Sequence, residues 1–234
     1  MLDVQTIQKL SGSTPQIAQI WLPLMEEYFP KYNINTKERI ASFLSQVGEE
    51  SGGLYYTEEI ASGSTYEGRS DLGNTQTGDG VRFKGRGLLE TTGRNNYQNF
   101  KNKFGVDVIS NPSLLGGKNA LVSTPEQLKN SLMSALYYWD THNLNSLADN
   151  LNISMPATNT ANLDTITKIT KIINGGLNGL QDRLNRFENG RSYIKDKILE
   201  VATFSKNNWI PIVAVFVGVV GLGYYLFASK TVKV

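Results

Sequence analysis

The chain has 234 residues, with 23 Lys and Arg against 21 Asp and Glu, a single histidine and no cysteine. A net charge of +2 without a basic run gives no argument for nucleic acid, and the lack of cysteine excludes a disulfide framework and a thiol nucleophile. No metal-ligand cluster or cofactor motif appears, so chemistry without cofactor or metal is expected, in one good-sized domain with an appendage.

The first ten residues carry Asp3 and no sustained apolar run, so they do not read as a secretory signal. Thr14-Pro15 opens a helix whose stripe is Ile17, Ile20, Trp21, Leu24 and Tyr28; it is expected to pack beneath the next helix. That next helix spans Lys37 to Ser51, with Ile40, Phe43, Leu44 and Val47 at i, i+3, i+4 and i+7. With Val47 at the centre of the stripe, Glu50 falls roughly 60° to one side and Glu49 roughly 160° away. Glu50 is therefore expected to point inward and Glu49 outward. Gly52 and Gly53 stop the helix, because glycine tolerates the left-handed conformation of a C-terminal cap. A carboxyl on the buried side of a last helical turn suits a general acid, since partial burial disfavours the charged form. Glu58 and Glu59 follow closely enough to supply the second carboxylate that glycosidic-bond hydrolysis needs.

Residues 54–82 are rich in Gly, Ser, Thr and Asn without a period and read as loop around a cleft. Gly85-Arg86-Gly87 reads as a turn. Thr124-Pro125-Glu126-Gln127 is a capping-box start, followed by Leu128, Leu132, Ala135, Leu136 and Trp139 on one face. His142 ends that segment as a structural histidine. Asn152 to Asn162 reads as a surface loop. Ile166, Ile169, Ile172 and Ile173 form a helix stopped by Asn174-Gly175, and Leu180, Leu184, Phe187, Ile194 and Ile198 begin another. Strands are minor at most. Residues 209–228 carry no charge and are flanked by Lys206, Lys230 and Lys233, with Trp209, Tyr224 and Tyr225 toward the ends; this predicts a single membrane span. The expected domains are 1–205 and a C-terminal anchor, 206–234.

Three ordered blocks resemble a known family. Gln46 to Gly53, Q-V-G-E-E-S-G-G, is similar to the Q-x-x-H-E-S-G-G signature of glycoside hydrolase family 19, the chitinase family that includes lysozyme-like endolysins. Gly85 to Tyr97, G-R-G-L-L-E-T-T-G-R-N-N-Y, resembles its G-R-G-x-x-Q-x-T-G-x-x-N-Y block, and Ile173 to Arg183 its I-N-G-G-x-x-G-x-x-D-R block. The resemblance implies a mostly helical, two-lobed lysozyme-like domain with a central cleft. It implies Glu50 as general acid, Glu59 as second carboxylate and Thr92 as the hydroxyl that holds the attacking water. Glu90, Asn96, Tyr97, Asn174 and Arg183 match substrate-cleft positions. Two residues depart from the family pattern: Glu49 stands for histidine and Glu90 for glutamine.

The reading that results is an inverting glycoside hydrolase cutting β-1,4 bonds of peptidoglycan, with chitin as the alternative substrate. The rival is a catalytically silent glycan-binding or structural membrane protein. The predicted span adds a lipid bilayer as partner and suggests delivery in the internal membrane of a bacterial virus, or action as a lysis enzyme at the host cell membrane.

Overall fold

The computed structural model describes residues 2–207. The chain divides into two units, Met1–Lys197 and Ile198–Val234, and the contacts described below belong to the first. The helices are α1 (Val4–Ser11), α2 (Pro15–Tyr28), α3 (Lys37–Glu50), α4 (Asp79–Arg82), α5 (Arg94–Phe104), α6 (Pro125–Thr141), α7 (Leu144–Ala148), α8 (Thr160–Asn174) and α9 (Leu180–Asn207). Among the described residues, extended pairing is limited to isolated bridges, Tyr56 with Asn119, Glu58 with Arg86 and Arg86 with Thr91.

The helices begin where side-chain oxygens can take up their free N–H groups. Thr14 caps α2, Thr36 caps α3, and Thr124 and Gln127 close a reciprocal capping box on α6. Each such cap contributes about 1 kcal/mol. The α3 stripe, Ile40, Phe43, Leu44 and Val47, is buried. Phe43 meets Phe29 and Trp139 edge to face, each with centroids 5.2 Å apart.

The helix lying most closely on α3 is α1, which the apolar pattern left unassigned, while α2 packs on α1 and α6. The α1–α3 contact is made backbone to backbone: a Cβ on Gly48 would stand 2.5 Å from the Ser11 carbonyl oxygen. Only glycine fits there. A second, smaller core gathers Phe83, Tyr97, Phe100, Val108 and Leu115, and Met133 of α6 packs against both cores. Residues 152–162, expected as a surface loop, are instead tied down. Asn162 is fully buried and its amide donates to the carbonyls of Asn152, Met155 and Pro156.

The expected membrane localisation is corrected. Among the described residues no helix is long and apolar enough to cross a membrane. Even α9, with 28 residues, carries Asp182, Arg183, Arg186, Glu188 and Arg191 along its length. The predicted span at 209–228 lies outside the described residues.

Candidate active site

The end of α3 is built to present Glu50. Ser51 caps the helix, its hydroxyl donating to the Val47 carbonyl at 2.6 Å and accepting from the Leu54 N–H at 3.0 Å. Gly52, Gly53 and Leu54 then follow with positive φ. Leucine tolerates this because its side chain is buried and its carbonyl accepts from the Trp21 indole at 2.8 Å.

The Glu50 side chain, 18% exposed, accepts from Arg183 through Oε1 at 2.5 Å. Arg183 is 1% exposed and also donates to the carbonyl and side-chain oxygens of Gln46 at 3.1 and 2.9 Å. Gln46 in turn donates to Thr170 of α8 at 3.2 Å. Glu50 is thus held from beneath by two helices, with one oxygen committed. Arg183, expected to touch substrate, acts on Glu50 and is itself out of reach of a sugar.

Glu49 departs from the helical-phase expectation. Its side chain is only 22% exposed and accepts from Arg186 Nε at 3.3 Å. A Cβ on Gly179 would stand 2.6 Å from its Oε1. The segment leading into α9 covers the face of α3 that the stripe alone assigned to solvent.

The second carboxylate arrives on paired backbone. Gly87 N–H donates to the Thr57 carbonyl at 3.0 Å and Glu59 N–H to the Gly85 carbonyl at 2.9 Å. Residues 57–59 therefore lie along 85–87. The latter turns back on itself, Arg86 and Thr91 exchanging backbone hydrogen bonds of 3.1 and 2.8 Å, with Gly87 and Glu90 at φ of 83° and 47°.

The two neighbouring acids face different partners. Glu58 forms ion pairs with Lys84 at 2.8 Å and Arg86 at 2.9 Å. Burial alone would raise its pKa, but the two cations outweigh it and hold the carboxyl below its usual value. Glu59 has no ion-pair partner among the described residues. Its Oε1 accepts from the Tyr66 hydroxyl at 3.1 Å and its Oε2 from the Gly85 N–H at 3.0 Å, which fixes the carboxylate while each oxygen keeps capacity to accept from water.

Glu90 lies within electrostatic reach of Glu59 and Glu50. It keeps contact with solvent on the groove wall but is crowded by surrounding protein, and its pKa is pushed up to about 7, first by that partial desolvation and then by the charges of Glu59 and Glu50. Tyr66 is shifted up by burial and then by Glu59 and Glu90, and Tyr138 by burial and then by Glu50. A groove of about 590 Å³ is lined by Glu90, Thr92, Asn96, Tyr138 and His142, among others. A second depression, of about 840 Å³, is lined by Tyr56, Glu58, Glu59 and Lys118, among others.

Thr92 donates its hydroxyl hydrogen to the Glu90 carbonyl at 2.7 Å, and the Asn96 amide donates to the Thr92 carbonyl at 2.8 Å. The lone pairs of Thr92 Oγ1 remain for a water. Tyr97, expected at the cleft, is wholly buried; its hydroxyl donates to the Lys84 carbonyl at 2.7 Å and accepts from Arg86 at 2.9 Å. Its phenol is pushed up by that burial, and it holds the turn together rather than meeting sugar. Asn174 is exposed at the end of α8, one residue after the groove-lining Ile173.

Tyr66 and Tyr138 belong to the site and were not singled out from sequence. Tyr66 lies in an unpatterned loop, and Tyr138 flanks the apolar stripe of α6, its hydroxyl donating to the Ile172 carbonyl at 2.7 Å. The lone histidine, read as structural, stacks on Tyr138 with centroids 3.8 Å apart, on the groove wall.

Three comparisons bear on the family of the chain and on its fold. The family model described as chitinase class I, glycoside hydrolase family 19, matches residues 31–207. A glycosyl hydrolase family 19 domain-containing protein of Haemophilus influenzae is 28% identical over 178 residues, 63% of this chain and 76% of that protein. Among solved structures, a bacterial family 19 chitinase is similar at a TM-score of 0.53 and 19% identity, covering 81% of this chain and 93% of its own. Chitinase C from Streptomyces griseus HUT6037 is similar at a TM-score of 0.50 and 20% identity, covering 79% of this chain and 73% of its own. The chain belongs to glycoside hydrolase family 19 and is a glycoside hydrolase.

Proposed function

We propose that the chain hydrolyses β-1,4 bonds of peptidoglycan with inversion of configuration, Glu50 serving as general acid and Glu59 as general base. The observation that carries this reading is the contrast between two fixed carboxylates sensed by the same neighbour, Glu90. Glu50 has one oxygen gripped by Arg183 and the other without a partner among the described residues. Glu59 is oriented by Tyr66 and Gly85 and has no ion-pair partner among the described residues.

In the reaction, the free oxygen of Glu50 delivers its proton to the glycosidic oxygen as the bond to the anomeric carbon breaks. A water attacks that carbon from the opposite face and gives one proton to Glu59, its other hydrogen held by Thr92 Oγ1. One water is consumed, and the proton lost by Glu50 is balanced by the one Glu59 gains. Asn96 and Asn174 are assigned to sugar contacts along the groove.

The preference for peptidoglycan rests on the short spacing from Glu50 to Glu59, which resembles the compact lysozyme-like members. Chitin is the second reading, favoured by the description of the matching family as chitinase class I. Mass analysis of products from purified cell walls and from chitin oligomers tests both. Muropeptide fragments with new reducing ends are expected, and release from chitin alone would transfer the assignment. An early-time product spectrum should show the inverted anomer; the retained anomer would overturn the roles given to Glu59 and Thr92.

A further inference from the structure

Glu90 occupies an unusual place for a charged side chain. It closes the tight turn that begins at Gly87, its N–H donating to the Gly87 carbonyl at 3.2 Å, in a left-handed conformation that L-residues seldom adopt. Across Gly85 it faces Glu59: a Cβ built on Gly85 would lie 3.1 Å from Glu90 Cβ and 3.3 Å from both Glu59 Cβ and Glu59 Oε2. Nothing wider than glycine separates the two acids.

The groups around it do not neutralise it. From the 57–59 segment come Glu59 and also Glu58, whose charge is spent on Lys84 and Arg86. From α3 comes Glu50, held by Arg183. From the loop comes Tyr66, which donates to Glu59. From α6 come Tyr137 and Tyr138, with His142 just past its end, on the groove wall, and α5 contributes the uncharged Asn96, Asn99 and Phe100. The carboxyl of Glu90 has no hydrogen-bond or ion-pair partner among the described residues.

We propose that Glu90 is a specificity-determining residue that meets the glycan in its protonated form, donating its carboxyl O–H to a sugar oxygen, and that losing this proton closes the cleft to N-acetylated sugar. A neutral carboxyl offers one donor and one acceptor side by side, as a side-chain amide does, whereas the ionised form can only accept. A charge on Glu59 penalises a second charge beside it on Glu90, which, unlike Glu59, has no donor to offset it among the described residues. The elevation of its pKa to about 7 puts the change inside the range of ordinary assays.

This inference rests on the cleft reading above and specifies the protonation state of one wall. Its test is the affinity of the unaltered protein and of Glu90→Gln for a non-hydrolysable, sulfur-linked N-acetylglucosamine oligomer, measured by calorimetry from pH 5.5 to 8.5. For the unaltered protein the affinity should fall about tenfold between pH 6 and pH 8, following the loss of one proton. For Glu90→Gln it should stay level. Parallel slopes in the two proteins overturn the inference and leave the cleft reading standing, while absence of binding by both at every pH overturns both. A carbon-13 titration of labelled glutamate carboxyls gives an independent check that needs no variant for its readout. A Glu90 carboxyl titrating near 4.5 would sink the inference.

Discussion

Arg183 of α9 reaches under α3 and fastens Glu50 by a single oxygen, and it does so from a position almost wholly closed to solvent. Its other terminal nitrogen holds Gln46 one turn earlier on the same helix. The pair is therefore a clamp on the rotamer of Glu50. Arg183→Met keeps much of the volume but leaves Glu50 and Gln46 without their donor. Breaking such a pair from one side costs about 3–5 kcal/mol, so a lower unfolding midpoint in denaturant is expected, with kcat reduced more than KM. Wild-type kcat in a folded Arg183→Met protein would remove Arg183 from the positioning role.

Glu50→Gln and Glu49→Gln form a matched pair of neighbours. The first removes a dissociable proton while keeping shape, and general acid catalysis contributes roughly 10²–10⁴-fold, so loss of at least about a hundredfold in hydrolysis is expected. The second disturbs a partly exposed ion pair with Arg186, worth about 1 kcal/mol or less, and activity should persist. Reducing-end assays on both proteins make the check, and the assignment fails if Glu50→Gln keeps a tenth of the activity.

Glu58 should show itself through acid stability rather than turnover. Its folded pKa lies below the ordinary value of 4.5, so its stabilising contribution is present above 4.5 and is lost as pH falls through the folded value. Glu58→Gln is expected to melt at a lower temperature than the parent at pH 7. The gap should close below pH 4.5. A gap that stays constant with pH would show that the Lys84 and Arg86 pairs do not govern this behaviour.

Glu90→Gln should do the reverse. The folded pKa of about 7 lies above the ordinary 4.5, so the protein with glutamate is penalised progressively as pH rises from 4.5 and fully above about 7. The variant is expected to melt higher than the parent at pH 8 and level with it below pH 4.5. Thermal scans at the two pH values decide this, and a parent that melts higher at pH 8 contradicts it.

Helix starts and the inward turn of Glu50 were legible in sequence because they depend on neighbours a few residues away. Thr14-Pro15 and the Thr124 capping box begin helices as read, and Asn174-Gly175 ends α8 with glycine at φ 74°. What escaped depends on contacts between distant segments. The phase of α3 assigned Glu49 to solvent because periodicity reports one buried face, whereas the turn before α9 covers a second one. Tyr97 sits in a block that resembles a substrate-cleft motif, and only its burial against Phe83 and Arg86 shows its structural role. The burial of Asn162 was hidden for the same reason: its carbonyl partners lie in a stretch without a period.

The backbone contact between Gly48 and Ser11 bears on how small this enzyme can be. Residues matched by the family begin at 31, after α1 and α2, so a chain started there would look complete by homology. Yet such a chain would lose the indole that occupies the Leu54 carbonyl and the Ser11 carbonyl to which Arg186 donates. It would also uncover the flank of α3 on which α1 rests. Helix α3 would then have one side bared, with apolar surface open to water and two polar groups stripped of partners. The minimal folding unit is thus wider than the homology unit, with α1 laid on α3 and α2 laid in turn on α1.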